Sequence, residues 1–266
     1  MKINIKKIRK KKLKGVKEIE QQFKPDIYRA AALSAGTEFR SIEVNLKQTG
    51  SFPLLVEISG VLTPELTPLK EVQPTRIART LETHGLQTAV IVAIDDLVLG
   101  GHPGWINLVK YHTQLPIIAR DFFFHPLQIY QARATGADAV IIDLRWVDET
   151  TAAELVNATF EMGMEPIVQF SQPEFPSALD REIVTMGIFA PEQPVNQAEL
   201  ASTIQQLKTQ HGGNLLVIVE TSPTQMDWIN IIPAAGADGI ILNSHLLTSD
   251  NYIQLFDAVR ARLELK

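Results

Sequence analysis

Eight short stretches of this chain follow runs of apolar residues, the arrangement by which a buried strand delivers functional groups to its end. They read Glu57-Ile58-Ser59-Gly60, Asp95-Asp96, Arg120-Asp121-Phe122, Asp143-Leu144-Arg145, Gln169-Phe170-Ser171, Phe189-Ala190-Pro191, Glu220-Thr221-Ser222 and Asn243-Ser244-His245. Glu57 has the chemistry of a general base and Arg120 that of an anion clamp, while Thr221, Ser222, Asn243 and Ser244 can line a site for an anion. A purely structural role stands beside each. Glu57 can pair with Arg120 across the end of a barrel, Asp121 can cap the turn that follows it, and Asp143 with Arg145 can form a pair on the rim. The six histidines show neither HxxxH nor HxH spacing, and Asp95-Asp96 has no partnered ligand motif, so neither a metal site nor a cofactor is expected. His102 and His245 read as solvated loop tips. With no cysteine in the chain, disulfides, zinc-thiolate sites, iron–sulfur clusters and cysteine nucleophiles are excluded.

The apolar runs that must position these groups are Leu54 to Ser59, Ala89 to Ile94, Pro116 to Phe122, Ala139 to Leu144, Pro166 to Phe170, Val184 to Phe189, Leu215 to Glu220 and Gly239 to Leu242. They show no polar alternation, which predicts strands buried on both faces, as in a parallel sheet. Helices are predicted between and after them, over Ile77 to His84, Trp105 to His112, Pro126 to Thr135, Thr150 to Met162, Glu174 to Arg181, Asn196 to Gln210, Gln225 to Ala235 and Tyr252 to Leu263. Eight strand–helix units point to a single (β/α)8 TIM barrel rather than a doubly wound open sheet, whose dinucleotide-binding form would carry G-x-G-x-x-G after its first strand. Gly136-Ala137-Asp138 and Gly236-Ala237-Asp238 echo one another half a barrel apart, each entering a strand.

Hydrophobic residues make up 45% of the 266, enough for a large core. Charge is distributed unevenly. Residues 1–17 carry nine Lys or Arg and no acid, so a chain of net charge −5 has a body of −14. This separates a polybasic tail (1–17) from a barrel with an N-terminal helical extension (18–266), in which Val16 to Gly36 reads as helical with a break at Pro25. Lys6, Lys7, Arg9, Lys10, Lys11, Lys12 and Lys14 can dock the tail to an anionic membrane surface, a nucleic acid or a protein, or can form a solvated leader. Isoleucines interleaved with the lysines also allow an amphipathic surface helix. No apolar run is long enough to span a bilayer, and the expected location is cytoplasmic, peripheral to a membrane if the tail docks there.

Leu115-Pro116-Ile117-Ile118-Ala119-Arg120-Asp121-Phe122, with Pro126 to Asp138 after it, resembles the third-strand region of indole-3-glycerol phosphate synthase. Val56-Glu57, Leu99-Gly100-Gly101-His102-Pro103, Gly163-Met164-Glu165-Pro166 and Val219-Glu220-Thr221-Ser222 resemble further segments of that family. The resemblance implies a TIM barrel of tryptophan-biosynthesis ancestry. The family closes a ring on a carboxyphenylamino-deoxyribulose phosphate with loss of carbon dioxide and water. Its general-acid lysine falls on Arg120, its second lysine on Ser59, one glutamate on Glu57 and the other on Gln169. Its asparagine falls on Phe189, its serine on Thr221, and its phosphate-cradling glycines on Ser222 and Asn243. Arginine is a poor proton donor at neutral pH and glutamine has no titratable proton. A noncatalytic member, working as a binding, scaffold or assembly protein with a protein partner and a residual small anionic ligand, is therefore expected. The alternatives are an active synthase and a lyase with altered chemistry on a small anion.

Overall fold

The computed structural model describes residues 4–22, 24–35, 38–48, 50–62, 65–191, 195–222, 225–248 and 251–264. Lys2, Gly36, Thr63 and Pro64 lie outside them. The chain begins with helices α1 (Ile5–Gln22), α2 (Pro25–Ser34) and α3 (Ile42–Gln48), then enters strand β1 (Leu54–Ile58) and a small antiparallel hairpin, β2 (Val61–Leu62) and β3 (Thr67–Pro68). Next come α4 (Pro74–Thr83), β4 (Ala89–Ala93), α5 (Gly104–His112), β5 (Ile117–Arg120), α6 (Pro126–Ala134), β6 (Ala139–Asp143), α7 (Glu149–Glu161) and β7 (Glu165–Phe170). The chain finishes through β8 (Met186–Phe189), α8 (Gln197–His211), β9 (Leu216–Thr221), α9 (Met226–Ala234), β10 (Gly239–Leu242), a 3-10 turn over Ser244–Thr248 and α10 (Tyr252–Glu264).

Eight of these strands close on themselves in the order β1-β10-β9-β8-β7-β6-β5-β4, each pair parallel, as a (β/α)8 barrel requires. Closure gives every strand an inward and an outward face with a period of two. Leu55, Ile91, Ile118, Ile141, Ile167, Ile188, Ile218 and Ile241 pack together in the inner core, one from each strand. The intervening Val56, Val92, Ala119, Val140, Val168, Val217 and Ile240 belong to the larger cluster shared with the surrounding helices. The absence of polar alternation thus reflects two apolar environments.

Two N-terminal helices stop the ends of this barrel. At the lower end Ile42 and Leu46 of α3 enter the inner core, each side chain contributing about 1.5–3 kcal/mol by its burial. The first turn of α3 is capped from a distance. Glu165, at the start of β7, accepts from the Ser41 hydroxyl at 2.5 Å and the Ile42 N–H at 2.7 Å. At the upper end α1 rests on the loops that follow β1, β4 and β5. It crosses residue 17 without a break, so the basic run and the residues after it form one element.

One predicted helix is absent. Over Glu174 to Arg181 the chain makes turns instead, because Pro176 cannot donate to a helical ladder and disfavours helical geometry at Phe175. Phe175 is nonetheless buried, edge-on to His211, and its N–H donates to Gln210 Oε1 at 2.7 Å.

The echoed Gly-Ala-Asp segments do equivalent work. Gly136 and Gly236 take φ of 101° and 85°, a left-handed turn that glycine tolerates. Asp138 then accepts the Ile117 N–H at 2.8 Å and Asp238 the Val217 N–H at 2.7 Å, each tying the foot of one strand to its neighbour. They differ in setting. Asp138 is fully buried and holds Lys110 at 2.6 Å, whereas the Lys208–Asp238 pair is about a quarter exposed on both sides. Asp138→Ala is therefore expected to cost about 3–5 kcal/mol by stranding a buried ammonium. Asp238→Ala should cost about 1 kcal/mol. Urea unfolding of both variants measures the difference, and equal losses would contradict this assignment.

Candidate functional site

Two residues above the inner aliphatic layer, the inward positions of the eight strands are occupied by Glu57, Ala93, Arg120, Asp143, Gln169, Ala190, Glu220 and Asn243. Arg120 is the centre of this set. Its Nη1 lies 3.2 Å from Glu57 Oε2 and its Nη2 lies 2.9 Å from Glu220 Oε2, and Nη2 also points to Gln169 Oε1 at 3.4 Å. The Arg120 side chain is 12% exposed and that of Glu57 is wholly buried. Burial by itself would lower the Arg120 pKa, but the Glu220 and Glu57 carboxylates outweigh it and raise it above the usual arginine range. The guanidinium therefore holds its proton more firmly than a free arginine. Beside it, Gln169 Nε2 is buried and makes no hydrogen bond among the described residues. On the rim, Asp143 takes Arg145 Nε at 3.0 Å and Nη2 at 2.5 Å, and the Arg145 guanidinium stacks 5.0 Å from the Trp146 ring centre.

The strand period redistributes several sequence assignments. Phe189 packs in the outer cluster, so it does not stand in the barrel mouth; the inward residue at the end of β8 is Ala190. Thr221 likewise faces away, with its hydroxyl 3.3 Å from Gln225 Oε1, and the inward residue of β9 is Glu220. Counting in twos from Ile218 would have selected Glu220 over Thr221. Ser59 is buried and gives its hydroxyl to the Val61 carbonyl at 2.5 Å, a bond within its own loop. Asn243 Oδ1 accepts the His245 N–H at 3.2 Å, Ser244 is fully buried, and Ser222 is half-buried. His245 is not a free loop tip, since it pairs with Glu65 at 2.7 Å. Asp121 caps its own turn, accepting the Phe122 N–H at 2.6 Å.

The basic segment supplies a residue to the same end of the barrel. Lys12 Nζ lies 2.8 Å from Asp95 Oδ1 and 2.5 Å from Asp121 Oδ1 with its side chain 13% exposed, so it belongs to the protein interior rather than a docking surface. Ile8 and Val16 of α1 are buried, and Ile8 joins Val61, Leu66, Ala93, Leu99, Phe122 and Phe124 in a small cluster. Glycine makes this seat possible. A Cβ on Gly60 would stand 2.1 Å from the Gly100 carbonyl oxygen, and one on Gly101 would stand 2.1 Å from that of Ala93. The loops after β1 and β4 can therefore touch, and Gly60 N–H donates to Leu99 O at 2.9 Å. Sequence reasoning missed Lys12 and its two aspartates because a lysine run reads as solvated. Ile5, Ile8, Val16 and Ile19, spaced near the helical period around Lys12, were the available signal.

A family model described as indole-3-glycerol phosphate synthase matches residues 5–259. The chain is 27% identical over 216 residues to the indole-3-glycerol phosphate synthase of Aquifex aeolicus, a match covering 80% of this chain and 83% of that protein. It is 27% identical over 240 residues to indole-3-glycerol phosphate synthase 2 of Ralstonia nicotianae, covering 89% and 84%. Among solved structures, the tryptophan synthase alpha subunit of Legionella pneumophila str. Paris superposes with a TM-score of 0.58 at 16% identity, covering 84% of this chain and 92% of that one, a likeness of fold.

Two outcomes follow from the charges at the barrel mouth. Arg120→Met leaves buried Glu57 without its cation and should cost about 3–5 kcal/mol in urea unfolding, whereas Arg120→Met combined with Glu57→Gln should recover much of that loss. No recovery in the double variant would refute the pairing as the cause. Burial, reinforced by Asp95 and opposed by Lys12, lifts the Asp121 carboxyl from 3.8 to about 6. A carboxyl raised on folding contributes stability that is fully present below about pH 3.8 and is lost as pH rises through about 6. The stability difference between wild type and Asp121→Asn should therefore shift against wild type between pH 4 and 6.5 and level off above; parallel pH profiles would exclude this.

Proposed function

Because the chain belongs to the indole-3-glycerol phosphate synthase family, we propose that it is a noncatalytic member, a barrel retained as a binding or scaffold protein for another protein. The observation that carries this is the position of Arg120, closed between Glu57 and Glu220 where the family resemblance puts a proton-donating lysine. Ring closure with loss of water needs a group that gives up a proton in the transition state, and a guanidinium held by two carboxylates is poorly suited to that. An incoming substrate anion would also have to compete with carboxylates already at van der Waals range. Gln169 cannot exchange a proton, and neither Phe189, on which the family's asparagine falls, nor the inward Ala190 beside it offers a hydrogen-bonding side chain to orient substrate. Lys12 is no ready substitute. Burial lowers its pKa, but Asp121 and Asp95 reverse that and leave the ammonium more strongly protonated than usual.

Loss of a general acid or base typically removes about a hundredfold or more in rate, and several such losses together leave little turnover. The competing reading, an active synthase or a lyase on another small anion, draws on the names of the relatives and on the retention of Glu57 and Glu220. A steady-state assay of the full chain with the synthase substrate separates the two. Wild type should give no ring closure above the buffer rate, and turnover by wild type would overturn the proposal. Arg120→Lys with Gln169→Glu, checked for folding by thermal melting, should recover no more than trace activity while Ser59 and Ala190 remain.

A further inference from the structure

We propose that α1 docks the intact protein onto an anionic lipid bilayer through its outer lysine face alone, with its apolar face still seated on the barrel. At about 100° per residue, Ile5, Ile8, Lys12, Val16 and Ile19 share the stripe that meets the barrel. Lys6, Lys7, Lys10, Lys11, Lys14 and Lys17 fall within an arc of about 140° on the opposite side, and all six are exposed. The helix has 18 residues and is about 27 Å long, so these ammonium groups form a straight basic ridge that one plane can touch at every point.

Three features select the partner. First, Lys6–Lys10, Lys7–Lys11 and Lys10–Lys14 are like charges one turn apart, which weakens a helix in water; a dense negative surface removes that penalty. Among the described residues the acidic partner of this face is Glu18, 3.5 Å from Lys14 and itself exposed. Second, the ridge uses lysine throughout, a hydrated point charge suited to a fluid array of headgroups, and its one arginine, Arg9, lies toward the barrel over the Phe124 ring at 5.7 Å. Third, the outer arc carries no aromatic side chain on which a base could stack. Since Ile8 and Val16 are buried in the seat, the attraction is electrostatic with no inserted hydrocarbon. Docking in this pose turns the Arg120 end of the barrel toward the membrane.

The proposal goes beyond the noncatalytic reading and does not depend on it, because vesicle binding and ring closure are separate measurements. The test is co-sedimentation of the full chain with vesicles of 70% phosphatidylcholine and 30% phosphatidylserine, or of phosphatidylcholine alone, at 50, 150 and 500 mM salt. Binding should require phosphatidylserine and be lost by 500 mM salt. Lys7→Gln, Lys10→Gln and Lys14→Gln together should lower the partition constant about a hundredfold, at roughly fivefold per lysine. The same change at Lys47 and Lys70 on the barrel should alter it less than threefold. Equal binding to both vesicle types, or no binding at 50 mM salt, would overturn the proposal. So would tighter binding to a 30-base-pair DNA duplex at equal phosphate, which identifies a nucleic-acid ridge. Binding that persists at 500 mM salt and disappears with Ile8→Ser and Val16→Ser would show that α1 leaves its seat and inserts, which also refutes it.

Discussion

The guanidinium of Arg120, held between Glu57 on β1 and Glu220 on β9, is the contact on which the upper half of the molecule turns. A closed barrel brings the ends of its strands so near one another that inward charges must be balanced within the set. Arg120 crosses the mouth and answers two carboxylates; Arg145 answers Asp143 on the rim. Lys12, arriving from a different part of the chain, answers Asp95 and Asp121. In each case the cation is held by acids that solvent reaches poorly, and the mouth is a network of internal pairs. The architecture, which this chain shares with its family, rests on these pairs.

Much of the fold was legible because strands buried on two faces leave uninterrupted runs of Val, Ile and Ala, and all eight runs become barrel strands. The Glu57–Arg120 and Asp143–Arg145 pairs were legible too, since opposite charges gathered at one end of a barrel have few other partners. Face was harder. Phe189 and Thr221 were assigned to the mouth because the family resemblance gives position along a strand, whereas the period of two determines direction, and it gives those places to Ala190 and Glu220. The segment after β7 carried enough apolar residues to suggest a helix, yet Pro176 governs its backbone. Helix α3 is seven residues long and escaped notice because its cap, Glu165, is supplied from more than a hundred residues away.

The basic segment shows how composition conceals location. Nine positive charges in seventeen residues describe a solvated tail if every residue is weighed alike. Placed on a helix, the same residues separate into a buried stripe that includes one lysine and an exposed ridge that holds six. Lys12 can be buried because two aspartates at the ends of β4 and β5 receive it; its neighbours stay in water. One element therefore contributes both to the packing of the barrel mouth and to the outer charge of the protein.

The two stoppers also impose an order on assembly. Asp121 lies 109 residues after Lys12, and Glu165 lies 123 after Ile42. During synthesis at about 5–20 residues per second, α1 emerges roughly 5–20 s before its aspartate exists, and α3 waits a similar time for its cap. Each helix is made before the residues that seat it. A nascent chain must carry a self-repelling helix until β5 and its loop have left the ribosome and an open barrel foot until β7 has, so the N-terminal third of this protein is the part with most to gain from a chaperone's shelter.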